Sequence, residues 1–294
     1  AVLLESTMHK TLLAAYSSTP DTWARFCAPG SVSDFRPHNR YRMGSFSRLE
    51  TLTESGEFRN KPMPDATKEL ISATTKGNII ALSRQAIIND DLSAFSRTAT
   101  MVGRAAALSI EMDVYDTLAL NAGLGPLMND GLALFNAAHN NISTGSALTV
   151  AGLDGDRVFM AQQKDRAGNE ILDLRPAVLV LAVGLVGLAR TINLAVYDTD
   201  AVGANLTNKF MVPNRVVGLF RDIVDSPRLS GTRRYLFADP GLAPVLEVAF
   251  LDGERNPFLE VMNGWRIDGV EWKVRLDYGV GAVDFVGAVT NAGV

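Results

Sequence analysis

NDDLSAFSRTATMVGRAAALSIEMDVYDTLALNAG, residues 89–123, is the stretch that decides the fold. Asn89, Asp90 and Asp91 put N-cap side chains and negative charge where a helix would begin. Phe95, Thr98, Val102, Ala105, Leu108, Met112, Tyr115 and Ala119 then recur at spacings of three and four. Gly123 stands near the position of a C-cap glycine. About 30 helical residues would run about 45 Å, enough for a strut across a domain.

Upstream of the strut the chain changes character. Leu4, Met8, Leu12 and Ala15 share one face of a short amphipathic helix over 2–16 that stops before Pro20. Residues 25–48 hold Arg25, Arg36, Arg40, Arg42 and Arg48 against one acid, Asp34, with Pro29, Gly30 and Pro37 as breakers. This reads as an extended arm, stable only against something else. Residues 46–80 read as a two-stranded excursion. Phe46, Leu49 and Leu52 sit on one side, Ser55-Gly56 and Lys61-Pro62-Met63-Pro64-Asp65 supply turns, and 68–80 carries β-branched residues. A hairpin polar on both faces is marginal alone, so its natural use is to lie on a neighbour.

Downstream the pattern is mixed. Residues 148–165 read as a helix whose exposed end carries Gln162, Gln163 and Lys164. A buried strand is expected over 176–182, with a helix after it. Further strands are expected over 214–224, 234–237 and 245–251, the last ended by Asp252-Gly253. In the tail, 270–289, Trp272, Val274, Leu276 and Tyr278 alternate as in a half-buried strand. The architecture these elements imply is α+β.

Composition bounds the function. The 294 residues, at roughly 150 per domain, allow about two domains. Hydrophobic residues at 47% and charged residues at 20% exclude a disordered chain. A net charge of −4 argues against a strongly basic nucleic-acid binder. The single cysteine, Cys27, excludes an intrachain disulfide, and His9, His38 and His139 are too scattered to suggest a metal site. There are 21 Arg and 7 Lys. Codon bias in a GC-rich genome accounts for that imbalance, and so does a large interface, where Arg is enriched and Lys depleted. The most apolar run, 177–189 (AVLVLAVGLVGLA), is too short to span a bilayer, which needs about 20 residues. Glu5, His9 and Lys10 interrupt any secretory signal. The chain starts at Ala1, which fits removal of an initiator Met or cleavage of a longer precursor.

The search for chemistry yields no catalytic, cofactor-binding or metal residue. His139 has Asn136, Asn140 and Asn141 for neighbours and reads as a hydrogen-bonded loop histidine. Cys27, in the expected arm, reads as an inert thiol. Asp90-Asp91 is explained by helix capping and Asp252-Gly253 by a turn. Gly123-Leu124-Gly125 and the glycines at 184 and 187 are too loose for a dinucleotide fingerprint, and no P-loop or nucleophile elbow occurs. Tyr41 and Phe46 among the arginines of 36–48 would suit phosphate contacts or base stacking. The preferred reading is a subunit-contact arm whose arginines pair with acids of a neighbour.

The order of arm, hairpin, capped long helix and mixed domain resembles a tailed-phage major capsid protein of the Hong Kong 97-like fold. Residues 82–92, LSRQAIINDDL, resemble the lead into the spine helix of Mu-like major head subunits and of capsid proteins fused to a prohead protease. Asp130-Gly131, Leu134-Phe135 and His139-Asn140 resemble the family's "DG…LF…HgN" segment, without the Gly between His and Asn. Asp268-Gly269-Val270 with 273–279 (KVRLDYG), and then 284–291, resemble its closing strands.

The resemblance implies a virion shell protein without catalytic activity or cofactor, assembled in the bacterial host cytoplasm. It would self-assemble as hexamers and pentamers into an icosahedral shell enclosing phage DNA. Its segments would be an N-terminal arm (1–45), an E-loop hairpin (46–80), the spine helix and peripheral domain (81–130), an axial domain (131–265) and peripheral return strands (266–294). Its partners would be further copies of itself, a portal, a scaffold or prohead protease, a decoration protein, and packaged double-stranded DNA held without sequence specificity; no membrane partner is implied. Some relatives crosslink a hairpin Lys to a distant Asn. Lys61, Lys68 and Lys76 lie in the hairpin, but no Asn or catalytic acid matches, and no crosslink is expected. Two other readings remain: an encapsulin-like bacterial compartment with the same fold, and an α/β enzyme with an unrecognised site.

Overall fold

A computed structural model describes residues 2–43, 66–83, 92–165, 170–198, 212–263 and 269–294, with positions 49, 51, 56 and 168 between them. Its helices are α1 (Val2–Ser18), α2 (Leu92–Gly123), α3 (Val150–Ala161) and α4 (Val183–Leu194). Its strands are β1 (Ala28–Val32), β2 (His38–Met43), β3 (Ala66–Ile71), β4 (Thr74–Ser83), β5 (Ile142–Ser143), β6 (Val178–Ala182), β7 (Asp222–Ser226), β8 (Arg234–Phe237), β9 (Leu246–Leu251), β10 (Phe258–Asn263), β11 (Gly269–Ala282) and β12 (Ala288–Asn291).

Two five-stranded sheets carry the core. The first runs β1-β9-β11-β10, with β4 on the other side of β11. The fourteen-residue β11 alternates as its sequence demands: Trp272, Val274, Leu276 and Tyr278 are buried, and Lys273 between them is exposed. The second sheet runs β5-β12-β8-β6-β7. Its β6 is buried at all five positions, as expected for a continuous apolar run covered on both faces. One face of this sheet meets the first sheet and the end of α2 through Val178, Val180, Tyr235 and Phe237. The other is covered by α3 and α4 through Leu153, Met160, Ala189 and Ile192. The ladder β2–β3 stands as a separate antiparallel pair, from His38↔Ile71 to Met43↔Ala66.

The strut is α2, but its buried face is rotated from the expected stripe. Ala99, Gly103, Ala107, Ile110, Glu111, Val114, Tyr115 and Leu118 face inward. Met112 is 47% exposed, and Ala105 and Ala119 are also exposed. Two causes set this phase. Ala99, Gly103 and Ala107 are small enough for α1 to lie against the helix, and a Cβ at Gly103 would sit 2.4 Å from the Leu12 carbonyl oxygen. Glu111 turns inward because Thr22 and Trp23 donate their backbone N–H groups to its Oε2 at 3.0 and 3.2 Å. A carboxylate is buried there because it supplies acceptors that the turn needs.

The helix ends at a left-handed corner. Leu120 is extended (ψ 151), and Asn121, Ala122 and Gly123 follow at φ 52, 59 and 82. Asn121 steadies the corner by donating from Nδ2 to the Gly125 carbonyl at 2.8 Å. Gly123 is required twice over, by its positive φ and by the Tyr235 hydroxyl, which would lie 2.9 Å from a Cβ.

Several expectations are corrected. Residues 23–32 are not an arm detached from their own body. Trp23, Phe26 and Cys27 are buried in the main core, and β1 pairs in parallel with β9. Phe26 stacks on Phe237 with ring centroids 5.2 Å apart, so aromatic burial outweighs the breakers around it. Gln163 is buried, accepting from Gly287 N and donating to Ala288 O, so it ties α3 to β12. Of 214–224 only the end is strand, because Asn214 folds the start into a turn: its Nδ2 donates to the Ile192 and Ala195 carbonyls. The outgoing strand of the hairpin stem is 38–43, and 74–83 belongs to the β11 ladder. Of the expected strand around Phe46 to Leu52 only positions 49 and 51 are described, and the capping residues 89–91 and the side chain of Phe95 lie outside the described residues.

Candidate functional site

The stem β2–β3 is the one described ladder outside the two large sheets, and arginines fasten it to the body. Arg40 donates from Nε to both carboxylate oxygens of Glu247 on β9 at 2.9 and 3.0 Å, and from Nη2 to Glu247 and to the Ser31 carbonyl. Arg42 reaches the Pro244 carbonyl and lies 3.6 Å from Asp284. From the other strand, Glu69 accepts from Asn129 N at 2.9 Å. Gly30 is bare because the Glu247 carboxylate occupies the space a Cβ would need. The fork geometry of guanidinium on carboxylate fixes direction as well as distance, so the stem leaves the body at a defined angle. The expectation that these arginines pair with a neighbour's acids is therefore corrected for Arg40 and Arg42, and Arg25 faces Asp222 of its own chain. Spacing could not show this, since Arg40 and Glu247 lie 207 residues apart.

The residues weighed for chemistry have structural partners. Cys27 is fully buried, and burial, with Glu111 nearby, pushes its thiol well above the usual range, which is the state of an inert thiol. His139 stacks flat on Phe285 at 4.1 Å, with Nδ1 on the Leu134 carbonyl and Nε2 2.7 Å from Asp130. Asn141 donates to the same Leu134 carbonyl. The Asp130 to Asn141 segment is thus a self-bonded loop that seats β5 beside β12. Gly184 and Gly187 lie on α4 and hold no loop around a ligand. Lys76 contacts Asp113 and lies 5.2 Å over the Tyr278 ring, and Tyr278 donates to the same carboxylate. Lys68 is exposed on β3, and Lys61 lies outside the described residues. Among the described residues no cluster of three or more His, Cys, Asp or Glu could hold a metal ion, and no helix is long and apolar enough to cross a membrane.

A buried polar network lies in the second sheet. Arg234 donates to Asp156 from Nε at 2.8 Å and to Ser146 Oγ from Nη2 at 2.8 Å, and its Nη1 takes the Ser146 carbonyl at 2.7 Å. Asp156 also accepts from Ser143 and from Asn291. These bonds join β5, α3, β8 and β12, and every member has a partner, as a buried charge demands.

What the described residues present is a fastened stem, a long helix and a two-sheet body, with no convergent reactive cluster among them. Residues 66–291 match the family model described as phage capsid protein.

The chain belongs to the phage capsid protein family.

The capsid protein's fold agrees with solved shells. It is similar to the capsid of the cyanophage P-SCSP1u (TM-score 0.60, 12% identity, covering 94% of this chain and 89% of that one). It is likewise similar to the structure from Microbacterium phage Oxtober96 (TM-score 0.57, 11% identity, 94% and 92%). A third is the mature capsid of bacteriophage PhiM1 (TM-score 0.55, 11% identity, 93% and 87%). At these identities the likeness is one of fold, and the fold of the capsid protein is α+β and Hong Kong 97-like. A search of curated proteins finds no match to its sequence.

Proposed function

We propose that the capsid protein is the major head subunit of a tailed phage, self-assembling as hexamers and pentamers into an icosahedral shell around double-stranded DNA. The family match over 66–291 carries this reading. The architecture supports it. A stem fastened to a rigid body can reach over an adjacent subunit without disturbing either core, and many such weak contacts must be satisfied together in a shell. In this reading the hairpin carried on the stem β2–β3 serves as the E-loop, α2 with the β4–β11 ladder as spine and peripheral domain, and the second sheet with α3 and α4 as axial domain. The role is structural, with no catalytic step assigned. Assembly takes place in the host cytoplasm with portal, scaffold or prohead protease. A decoration protein and nonspecifically held DNA are partners of the finished virion.

Negative-stain electron microscopy with light scattering tests it. Purified protein is expected to give uniform shells, or rings of six and five subunits, and shells from infected cells are expected to protect DNA from nuclease. A stable monomer or dimer at high concentration, with scaffold and protease supplied, would overturn it. Shells that protect protein cargo in place of DNA would also overturn it.

A further inference from the structure

The His139 ring is buried, and both of its nitrogens face acceptors. Nδ1 lies 3.0 Å from the Leu134 carbonyl oxygen, which also accepts from Asn141 Nδ2 at 2.7 Å. A carbonyl has no proton to give, so Nδ1 must donate. Nε2 lies 2.7 Å from Asp130 Oδ2. An ionised carboxylate also only accepts, so Nε2 must donate as well. A neutral imidazole has one N–H and cannot serve both acceptors, whereas the imidazolium has two.

The surroundings hold the ring to that arrangement. Phe285 stacks flat against one face at 4.1 Å. Asp130 is oriented through Oδ1, which accepts from Leu132 N at 2.9 Å and leaves Oδ2 for the ring. The Asp130 side chain is 44% exposed, so a proton can exchange with solvent at that end of the pair. Two other charged side chains on the packed elements are engaged elsewhere. Asp284, next to Phe285, accepts from the backbone N–H groups of Phe285 and Val286 and lies 3.6 Å from Arg42. Glu69 on β3 accepts from Asn129 N.

The turn that this pair holds is also an anchor of the stem. Residues 128–132 close on themselves, with Met128 N donating to Leu132 O at 2.8 Å and Gly131 N to Met128 O at 2.9 Å. Within that turn, Asn129 N donates to Glu69 Oε2 at 2.9 Å. Arg40 and Arg42 fasten β2, and Glu69 fastens β3. The β3 anchor therefore depends on a turn tied down by His139.

We infer that His139 is a proton-operated clamp: as the imidazolium it holds Asp130 and Leu134 together, and losing one proton frees turn 128–132 and slackens the Glu69 anchor of the stem. Histidine changes charge between about pH 5 and 8, so the clamp is closed on the acid side of neutrality and open on the alkaline side. The closed state holds the extra proton, so the stability it lends falls as pH rises. The clamp is built within one chain and stands or falls independently of the shell reading.

Amide hydrogen exchange of the unassembled full chain, corrected for intrinsic rates and compared at about pH 6 and about pH 8, tests it. The amides of Met128, Asn129, Gly131 and Leu132 are expected to lose protection at least about tenfold on that rise, the size of one charge-assisted hydrogen bond, while β6 keeps its own. His38 on β2 has its own partner in Asp34, so the readout is the turn and not the stem.

Asp130→Asn separates the clamp from a merely structural loop. Its Oδ1 keeps the Leu132 N–H, and its Nδ2 donates to a neutral Nε2 while Nδ1–H still serves Leu134. This variant is expected to hold the turn equally at both pH values. Nitrogen NMR of isotope-labelled histidine, with the His139 signals identified by their loss in His139→Phe, should then show one protonated ring nitrogen at about pH 6, where the unaltered chain shows two. Equal protection of the unaltered turn at both pH values would overturn the inference. So would an Asp130→Asn turn with the unaltered pH dependence, or one open at both.

Discussion

Arg40 on β2 and Glu247 on β9 form a forked ion pair, with Nε 2.9 and 3.0 Å from the two carboxylate oxygens. Glu247 is 8% exposed, and Gly30 leaves it the room it fills. The pair sets where the hairpin stem departs from the body. Arg40→Ala strands a nearly buried carboxylate and is expected to cost about 2–3 kcal/mol. Arg40→Lys should recover less than half, since a single ammonium cannot make the fork. Denaturant unfolding of the unassembled chain checks both, and a full rescue by lysine would show that charge alone suffices.

Gly103 is where α1 crosses α2. A Cβ there would lie 2.4 Å from the Leu12 carbonyl oxygen and 3.0 Å from the Ala15 methyl group. Gly103→Ala favours α2 as a helix but forces α1 away, and the net expectation is a loss of about 1–3 kcal/mol in α1 docking. Limited proteolysis should then cut α1 first, with the two-sheet body intact. Unchanged protection of α1 would count against this contact.

Asp156 and Arg234 are each 1% exposed and share one network with Ser143, Ser146 and Asn291. Asp156→Ala leaves a buried guanidinium without its counter-charge and is expected to destabilise by about 3–5 kcal/mol. Asp156→Asn keeps the shape and one acceptor, and should cost less than alanine. Thermal melts that rank asparagine at or below alanine would refute the network's electrostatic role.

Alkaline pH attacks the core through its phenols. Burial, with Glu111 nearby, pushes Tyr115 up to about 12, and burial with Asp21 pushes Tyr16 to about 12. Both stay neutral in the folded chain at a pH where the unfolded chain ionises. The folded state therefore holds more protons, so this stability is complete below pH 10 and lost as pH rises toward 12. For Tyr115 the slope is at most about 1.4 kcal/mol per pH unit. Phenolate absorbance should rise together with unfolding, and Tyr115→Phe should flatten the slope; a titration of all tyrosines in the folded state would exclude it.

Much of the fold was legible because its signals are local. The long helix, the all-buried β6, the 234–237 strand, the Asp252-Gly253 turn and the alternation of β11 follow from periodicity and from residues that cap or break. The candidate site was less legible. The basic segment was visible in the sequence, but Arg40 and Arg42 are matched by acids more than 200 residues away, and no spacing rule reaches across that separation. Cys27 and Phe26 look like arm residues beside Pro29 and Gly30, and only their place under Tyr115 and Phe237 makes them core.

The sequence by itself determined α1, the long helix, β6, β8, β9 and the alternation of β11 and, through the ordered resemblance along 46–294, which family of folds they build. Local propensity and periodicity are properties of neighbours along the chain, so one dimension suffices for them. Only the tertiary structure decided the phase of α2, the inward turn of Glu111, the burial of Gln163 and the fastening of the stem. Each of these is a polar or small residue whose position is set by a partner distant in sequence. Burying a carboxylate or an amide is unfavourable until that partner is in place, and the fold alone brings it there.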